Sequence, residues 1–297
     1  MSKPDLEGAL SGFGSSFLLL QAIIFPNVNN VPEALYGIVN VTGNGVNEAI
    51  KLPYTHPDGS PVYLGEPGLG YPRSLYPNLT YKRGPHDEAQ VFIGQTQLGY
   101  NTTLFIGPLS LNDTFALFSV TMAINNNTSR TETLGWVTVV IDANMVYDIV
   151  LSPEGLAGTG ELLLVGPNVK HNKFRTEIRG NSAQQAEDRM VKFVLPPPNN
   201  STLGNRHPLR SWNSSNSSLP FKMSDYPAVV DAWSSQNHDI NNAGALISTH
   251  NEENVKVSAG YAIVPNPLVD WAVVVEQSTC NVPSHQSSLL WLTSTQL

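Results

Sequence analysis

Two short apolar runs stand out near the middle of the chain, Trp136–Ile141 and Leu162–Val165. Both are rich in β-branched or leucine side chains, which is typical of buried strands. The segment between them predicts a short helix, because apolar residues recur there at helical spacing and Pro153 and Gly155 follow. The apolar stripe of this helix consists of Met145, Val146, Ile149 and Val150. We therefore expect the first run to end one sheet and the second run to begin another.

The first half of the chain predicts mostly antiparallel strands, because its apolar segments are short and turn-forming residues separate them. The predicted strands are Ser16–Phe25, Leu35–Val41, Gln90–Ile93, Thr103–Leu109, Phe115–Ile124 and Leu134–Ala143. The polar turn Asn125–Ser129 joins the last two, which are expected to form a hairpin. The region Leu52–Pro77 is crowded with Pro and Gly and predicts a loop with short extended pieces.

The second half predicts strands and helices in separate blocks. Strands are expected at Glu161–Pro167, Phe174–Ile178, Ala245–Ser248, Lys256–Val264 and Trp271–Gln277, and helices at Gln184–Val194 and Tyr226–Trp233. A low-complexity loop, Pro196–Ser218, lies between the two helices. Antiparallel strands with segregated helices define the α+β class, which is the fold class we predict.

The charge content is low and acidic. Charged residues make up 13% of the chain, which is about half the share usual in soluble domains. Asn, Ser, Thr, Gly and Pro take their place, as is common in secreted and cell-surface proteins. The formal net charge of −8 excludes a nucleic-acid partner, DNA included, because phosphate binding needs a basic face.

Cysteine usage and sequons point to different compartments. Cys280 is the only cysteine, so there is no internal disulfide, and this alone favours the cytosol. Asn-X-Ser/Thr sequons are more frequent than the roughly four or five expected by chance, which favours export. We give the sequons more weight, because a module of roughly 150 residues is stable without a bridge. The candidate glycosylation sites are Asn40, Asn78, Asn101, Asn112, Asn126, Asn127, Asn199, Asn200, Asn213 and Asn216.

Polar residues that could carry chemistry have simpler explanations. Two groups of potential metal ligands, His56 with Asp58 and the run His86–Glu88, lack a second histidine at a useful spacing, which favours solvated turns. A trio of carboxylates could serve glycoside chemistry, but helix capping and a wet helix face explain it at least as well. That trio is Asp142, Asp148 and Glu154. The sequence therefore predicts no catalytic residue, no cofactor and no metal site.

Two aromatic residues bracket the last predicted hairpin, Tyr261 and Trp271. One interpretation is that they line a ligand pocket, and the other is that they pack in the core.

Three blocks resemble a known family. They are LGWVTVVIDANMVYDIVLSPEGLAGTGELLLVGP at 134–167, the pieces IKLPYTHPDGSPVYLGE and LYPNLTY at 50–66 and 75–81, and SAGYAIVPNPLVDWAVVVEQS at 258–278. They are similar to the extracellular sensor region of fungal osmosensing hybrid histidine kinases, and the last block also resembles the closing hairpin of Cache domains. The resemblance covers roughly residues 5–278 and is most specific in the 134–167 block.

The resemblance implies a double Cache ectodomain, made of two PAS-like modules that each contain an antiparallel sheet with flanking helices. We expect a membrane-distal module at 1–153 without its usual N-terminal helix, a membrane-proximal module at 154–278, and a divergent, disordered tail at 279–297. The implied function is input to a phosphorelay that responds to osmotic or cell-envelope stress. The kinase, ATP-binding and receiver domains of the family have no counterpart here, so we expect no enzyme activity.

The resemblance also sets expectations for location and partners. The family's sensor region lies outside the plasma membrane, and its membrane helices are expected in segments missing from this chain. A homodimer through the sensor module is one expectation, and the small-molecule ligand is left open. The alternative function is a secreted β-rich protein that binds or hydrolyses glycans, which the sequon-rich composition with few charged residues also fits.

Overall fold

The computed structural model describes residues 19–26, 37–40, 51–64, 66, 69–70, 73–83, 89–93, 96–112, 115–128, 133–152, 160–174, 189–197, 206–212, 214–234 and 243–278. None of the helices in these ranges is long and apolar enough to cross a membrane. The predicted tail at 279–297 lies outside the described residues.

The described strands and helices are short. The strands are β1 Leu19–Pro26, β2 Gly37–Asn40, β3 Lys51–Thr55, β4 Pro61–Tyr63, β5 Leu79–Arg83, β6 Ala89–Ile93, β7 Thr96–Leu98, β8 Thr103–Ser110, β9 Ala116–Asn125, β10 Thr133–Asp142, β11 Gly160–Pro167, β12 Met190–Phe193, β13 Phe221–Lys222, β14 Gly244–His250, β15 Lys256–Ile263 and β16 Ala272–Ser278. The α-helices are α1 Asn144–Leu151 and α2 Pro227–Trp233, and two 3₁₀ turns lie at Arg73–Leu75 and Met223–Asp225.

The chain divides into two compact units. The first contains residues 1–147 with 170–172, and the second contains residues 148–169 with 173–297. The boundary falls inside α1, six residues before the position 153 that the sequence suggested.

The first unit is organised around a five-stranded sheet in the order β2-β1-β10-β9-β8. All its neighbouring strands are antiparallel. The predicted hairpin forms between β9 and β10, with Val120 opposite Val139. Two small sheets, β3-β4 and β5-β6-β7, occupy the stretch before β8.

Apolar side chains from β3 to β10 form one core in the first unit. Leu52, Val62, Leu79, Ile93, Leu104, Ile106, Leu117, Trp136 and Val140 are all buried in it. The Pro- and Gly-rich region was predicted as a loop with short extended pieces, and two of its extended pieces pair as the hairpin β3-β4. Leu52 on β3 and Val62 on β4 supply apolar side chains to this core.

The helix predicted after β10 forms as α1, but it buries a different set of side chains. The Oδ1 atom of Asp142 accepts a hydrogen bond from the backbone N–H of Asn144 at 2.7 Å, which fixes the start of the helix. Met145 and Ile149, two members of the predicted stripe, are exposed, whereas Tyr147 and Val150 are buried. The stripe was therefore wrong in part. The hydroxyl of Tyr147 forms a hydrogen bond with Ser110 Oγ at 2.8 Å. The buried face of the helix therefore includes an aromatic ring with a polar tip.

The second unit contains a six-stranded antiparallel sheet in the order β13-β12-β11-β16-β15-β14. β11 lies beside β16, with Leu163 opposite Val274, and β16 pairs in turn with β15. The helix predicted at Tyr226–Trp233 forms as α2, which begins one residue later, at Pro227. Its buried residues Ala228, Val229 and Ala232 pack into a core with one face of the sheet.

One predicted helix is wrong. The segment Gln184–Val194 was expected to be helical, but Met190–Phe193 is strand β12, with Val191 opposite Pro167 of β11. Val191 and Phe193 are buried while Met190 is exposed, so the segment has the two-residue period of a strand. Residues 181–188 lie outside the described residues, and Phe174 is the last described residue of the short strand predicted at 174–178.

The two larger sheets share one strand order. In each sheet the strand that comes first along the chain lies between the second strand and the last strand. The two strands that precede the last one in sequence lie on its other side, the later of the two being nearer. This gives β2-β1-β10-β9-β8 in the first unit and β12-β11-β16-β15-β14 in the second, where β13 extends the edge. The same topology therefore occurs twice along the chain.

Candidate functional site

Two glutamates lie opposite each other at one end of the second sheet. Glu161 on β11 pairs in register with Glu276 on β16. Since side chains alternate along a strand, Glu161 shares a face with buried Leu163, and Glu276 shares that face with buried Val274. The Glu276 side chain is fully buried and that of Glu161 is 12% exposed. A buried carboxylate needs compensating partners, because its transfer from water is costly.

Arg206 supplies the first compensating charge. Its Nη2 and Nε atoms both lie 2.9 Å from Glu161 Oε1, and Nε lies 3.4 Å from Glu276 Oε2. The side chain is 5% exposed. The guanidinium therefore bridges both strands in an environment where an ion pair is little screened by solvent.

His207 lies between three glutamates. Its Nδ1 is 2.7 Å from Glu252 Oε1, while its Nε2 is 3.1 Å from Glu161 Oε1 and 3.3 Å from Glu276 Oε2. Burial would lower the pKa of His207, but its bonds to the glutamates outweigh burial and raise the pKa well above 6.5. In the absence of another cation at Nε2, the imidazole therefore carries a positive charge at neutral pH.

The loop that carries Arg206 and His207 is anchored by the turn between β14 and β15. Asn251 is buried and donates from Nδ2 to the Arg206 carbonyl at 3.0 Å. Its Oδ1 accepts from the backbone N–H of Glu253 at 3.1 Å and of Val255 at 2.9 Å. Asn251 therefore ties the shape of the β14–β15 turn to the position of the loop, and Glu252 comes from the same turn.

Tyr226, at the start of α2, completes the cluster. Its hydroxyl donates a hydrogen bond to Oε1 of Glu276. Burial and the nearby Glu276 raise the pKa of Tyr226 well above 10, so the phenol stays a donor. For Glu276, burial acts to raise the pKa, but His207, Tyr226 and Arg206 outweigh it and lower the pKa below 4.5. Glu276 is therefore ionised in the folded protein at neutral pH.

This site contains one set of donors suited to a metal ion. Glu161, His207 and Glu276 each offer one ligand atom, and these atoms lie within 4.8 Å of one another. Imidazole nitrogen with carboxylate oxygens suits Zn²⁺ and related divalent ions. Arg206, Tyr226 and Glu252 would orient or neutralise the ligands from behind. The sequence predicted no metal site, so this set of residues is a finding of the structure.

Both aromatic residues singled out from the sequence are buried, at different places in the second unit. Tyr261 on β15 belongs to the core with Ala259 and Val274, and its hydroxyl lies 3.5 Å from Asp231 Oδ2. Trp271 lies against Gly166, where a Cβ atom would come within 2.8 Å of its indole ring. Packing explains both positions, and ligand binding by these two residues stays a prediction.

The described sequons are not buried in a core. Asn78, Asn101 and Asn127 are exposed, and Asn112, Asn126 and Asn216 are partly exposed. The side chain of Asn40 and the residues Asn199, Asn200 and Asn213 lie outside the description. Glycosylation at these positions stays a prediction.

The polar turn near His56 has a local explanation. The ring Nε2 of His56 lies 2.7 Å from Glu66 Oε1, and both side chains are partly exposed. Asp58 accepts from the backbone N–H of Ser60 at 2.9 Å, which closes the turn. His86, Asp87 and Glu88 lie outside the described residues, as does Glu154.

Comparisons with known proteins find similarity only among solved structures. No protein-family model matches the chain, and no curated protein matches it. The periplasmic sensory domain of the Campylobacter jejuni chemoreceptor Tlp1 is 10% identical, with a TM-score of 0.42 over 94% of this chain and 81% of that one. The ligand-binding domain of the Pseudomonas aeruginosa amino acid chemoreceptor PctC, in complex with GABA, is 12% identical, with a TM-score of 0.36 over 87% and 74%. At these scores and identities the likeness does not assign a function.

Proposed function

We propose that this chain is a non-enzymatic sensory module that acts outside the cell as the input of a membrane signalling receptor. In detail, we propose two PAS-like units of the Cache type and a receptor of the fungal hybrid histidine kinase class. The stimulus would be osmotic or cell-envelope stress. The observation that carries the proposal is the strand order shared by the two larger sheets.

A tandem of related modules requires the same topology twice, and both sheets satisfy this requirement. In each unit the last strand lies next to the first, which brings the end of the unit beside its beginning. Two of the sequence blocks that resemble the sensor family overlap strands of these two sheets. The 134–167 block contains most of β10 and all of α1 and β11, and the 258–278 block contains most of β15 and all of β16.

The extracellular location rests on the sequons. Asn78, Asn101 and Asn127 are exposed, as a glycan-bearing asparagine must be, since the glycan is bulky and hydrated. Expression in a secretory host, glycosidase treatment and mass measurement would test this part. Loss of mass at these asparagines is expected, and a secreted protein without any glycan would contradict the extracellular assignment.

A receptor chimera tests the sensing role. The chain would replace the ectodomain of a fungal osmosensing hybrid histidine kinase in a strain that lacks the native receptor. We expect a change in downstream MAP kinase phosphorylation when the osmolarity of the medium changes. A chimera that reaches the cell surface in folded form and signals equally under all conditions would contradict the proposal.

The absence of catalysis is tested separately. Purified protein should neither label itself with ATP nor hydrolyse a series of glycans. Turnover of either substrate that survives further purification would favour the secreted glycan-active protein instead.

A further inference from the structure

We propose that Glu161, His207 and Glu276 form a binding site for one divalent transition-metal ion of the Zn²⁺ type. The proposal concerns the second unit alone and stands whether or not the chain is a sensor. The ion would lie between His207 Nε2 and the two carboxylates, which come from the adjacent strands β11 and β16.

The separations between the donor atoms fit a shared metal ion. Zn–N and Zn–O bonds of about 2.0–2.2 Å place neighbouring ligand atoms roughly 3.0–3.4 Å apart in octahedral or tetrahedral geometry. His207 Nε2 lies 3.1 Å from Glu161 Oε1 and 3.3 Å from Glu276 Oε2. The ion can therefore occupy the position of the Nε2 proton without a large movement of the backbone.

His207 is already oriented as a metal ligand. Its Nδ1 lies 2.7 Å from Oε1 of the buried Glu252, which holds the ring with Nε2 directed at the two carboxylates. A carboxylate behind the second ring nitrogen is the common outer-shell arrangement of metal-binding histidines, because it fixes the ring and raises its basicity.

One buried carboxylate oxygen, Oε2 of Glu276, lacks a well-aligned hydrogen bond within the described part of the metal-free protein. Glu276 Oε2 is buried and makes no well-aligned hydrogen bond to the described residues, and its contacts are longer ion pairs with His207 Nε2 at 3.3 Å and Arg206 Nε at 3.4 Å. The other oxygen of the same carboxylate accepts from Tyr226. Buried polar atoms nearly always make a good hydrogen bond, and a metal ion at the site would give this oxygen a closer ligand bond than either ion pair.

The charges also match a divalent cation. With a neutral imidazole, the three glutamates and Arg206 leave a net charge of −2 at the site. A divalent ion cancels this charge, while Arg206 lowers the affinity because it is itself a cation close to the ligands. The alternative is a purely structural ion cluster, in which Arg206 and His207 alone hold the loop on the sheet.

Direct metal binding separates these possibilities. The full chain, treated with a chelator and dialysed, would be titrated with Zn²⁺ by calorimetry, and bound metal would be counted by elemental analysis. We expect one ion per chain. Co²⁺ should give the visible absorption of a nitrogen- and oxygen-ligated site, and Mg²⁺ should bind much more weakly, because imidazole is a poor ligand for it.

Substitutions of individual residues test which side chains bind the metal ion. His207→Gln and Glu276→Gln remove ligands and should abolish Zn²⁺ binding, whereas Glu252→Gln should weaken it by about 10–100-fold, as expected for an outer-shell partner. His56→Gln is the matched control, since His56 also pairs with a glutamate but belongs to the first unit, and it should bind Zn²⁺ as the original chain does. Circular dichroism would verify that each variant is folded.

Two results would overturn the proposal. One is the absence of Zn²⁺ binding by the folded original chain, which needs no variant to interpret. The other is binding that persists unchanged in a folded His207→Gln or Glu276→Gln protein, which would place the metal elsewhere. In either case, the cluster would be a structural ion network.

Discussion

Glu161 and Glu276 face each other across β11 and β16 on the inner side of the second sheet. Like charges directly opposite in adjacent strands destabilise a sheet, and burial increases the repulsion because the local dielectric constant is low. The pair is therefore tolerated only because cationic side chains from a distant loop lie against it. The folding of that loop and the pairing of these strands depend on each other.

Removing Arg206 should strongly destabilise the second unit. In metal-free protein, Arg206→Ala removes the guanidinium that contacts both Glu161 and Glu276, and breaking a buried ion network in this way costs about 3–5 kcal/mol. Urea unfolding followed by circular dichroism measures the change. Lys222→Ala is the control, because Lys222 is an exposed cation on the same sheet and its loss should cost less than about 1 kcal/mol. Equal effects of the two substitutions would show that the cluster contributes little to stability.

The hydroxyl of Tyr226 should also contribute measurably. Tyr226→Phe keeps the ring but removes the donor to Glu276, so a buried carboxylate oxygen loses its partner, at a cost of about 1–3 kcal/mol. The same unfolding experiment applies. Tyr100→Phe serves as the comparison, since Tyr100 is 47% exposed and should tolerate the loss of its hydroxyl. An unchanged free energy of unfolding for Tyr226→Phe would mean that water replaces the lost hydrogen bond.

Sequence reasoning predicted the strands and helices that have a clear period. β10, α1 and β11 follow directly from apolar runs and turn residues, and so do β15 and β16. It was less reliable where tertiary contacts decide whether a segment becomes a helix or a strand. The Met190–Phe193 segment pairs with β11 and is a strand, although helical spacing fitted its apolar residues equally well.

The cluster that Arg206 and His207 form with their glutamate partners could not be predicted from the sequence, and the reason is physical. Arg206 and His207 occur in a stretch that reads as a low-complexity loop, and their partners are 45 or more positions away. One signal was available. Glu161 and Glu276 keep the two-residue phase of the buried residues Leu163 and Val274, which marks them as acids on an inner face. A buried acid predicts that some cation lies nearby, but nothing local identifies which one.

The two units should respond separately to core substitutions. Leu163 and Leu117 are buried in different cores, and replacing either by Ala leaves a cavity that costs about 2–5 kcal/mol. Hydrogen exchange with mass spectrometry should show faster exchange in β11, β15 and β16 for Leu163→Ala, and in β8, β9 and β10 for Leu117→Ala. Each variant serves as the control for the other. Acceleration across all these strands in both variants would indicate a single cooperative unit.

Arg206 allows a test that separates metal binding from a purely structural role. Arg206→Gln keeps a hydrogen-bond donor but removes the positive charge beside Glu161 and Glu276. A unit positive charge about 4 Å from a divalent cation disfavours its binding by about 8 kcal/mol at an effective dielectric constant of 20, which is twice the value for two unit charges. We therefore expect Zn²⁺ to bind the variant at least about tenfold more tightly, even allowing for rearrangement of the freed carboxylates.

The same variant should regain stability when the metal is added. Its free energy of unfolding should fall in chelator and rise with Zn²⁺ concentration, because an ion that binds only the folded state stabilises it by mass action. Calorimetry and unfolding with and without Zn²⁺ measure both effects, and His56→Gln again provides the baseline. If Arg206→Gln binds Zn²⁺ more weakly than the original chain while remaining folded, the guanidinium supports the ligands instead of competing with the ion. The electrostatic part of the argument would then be wrong.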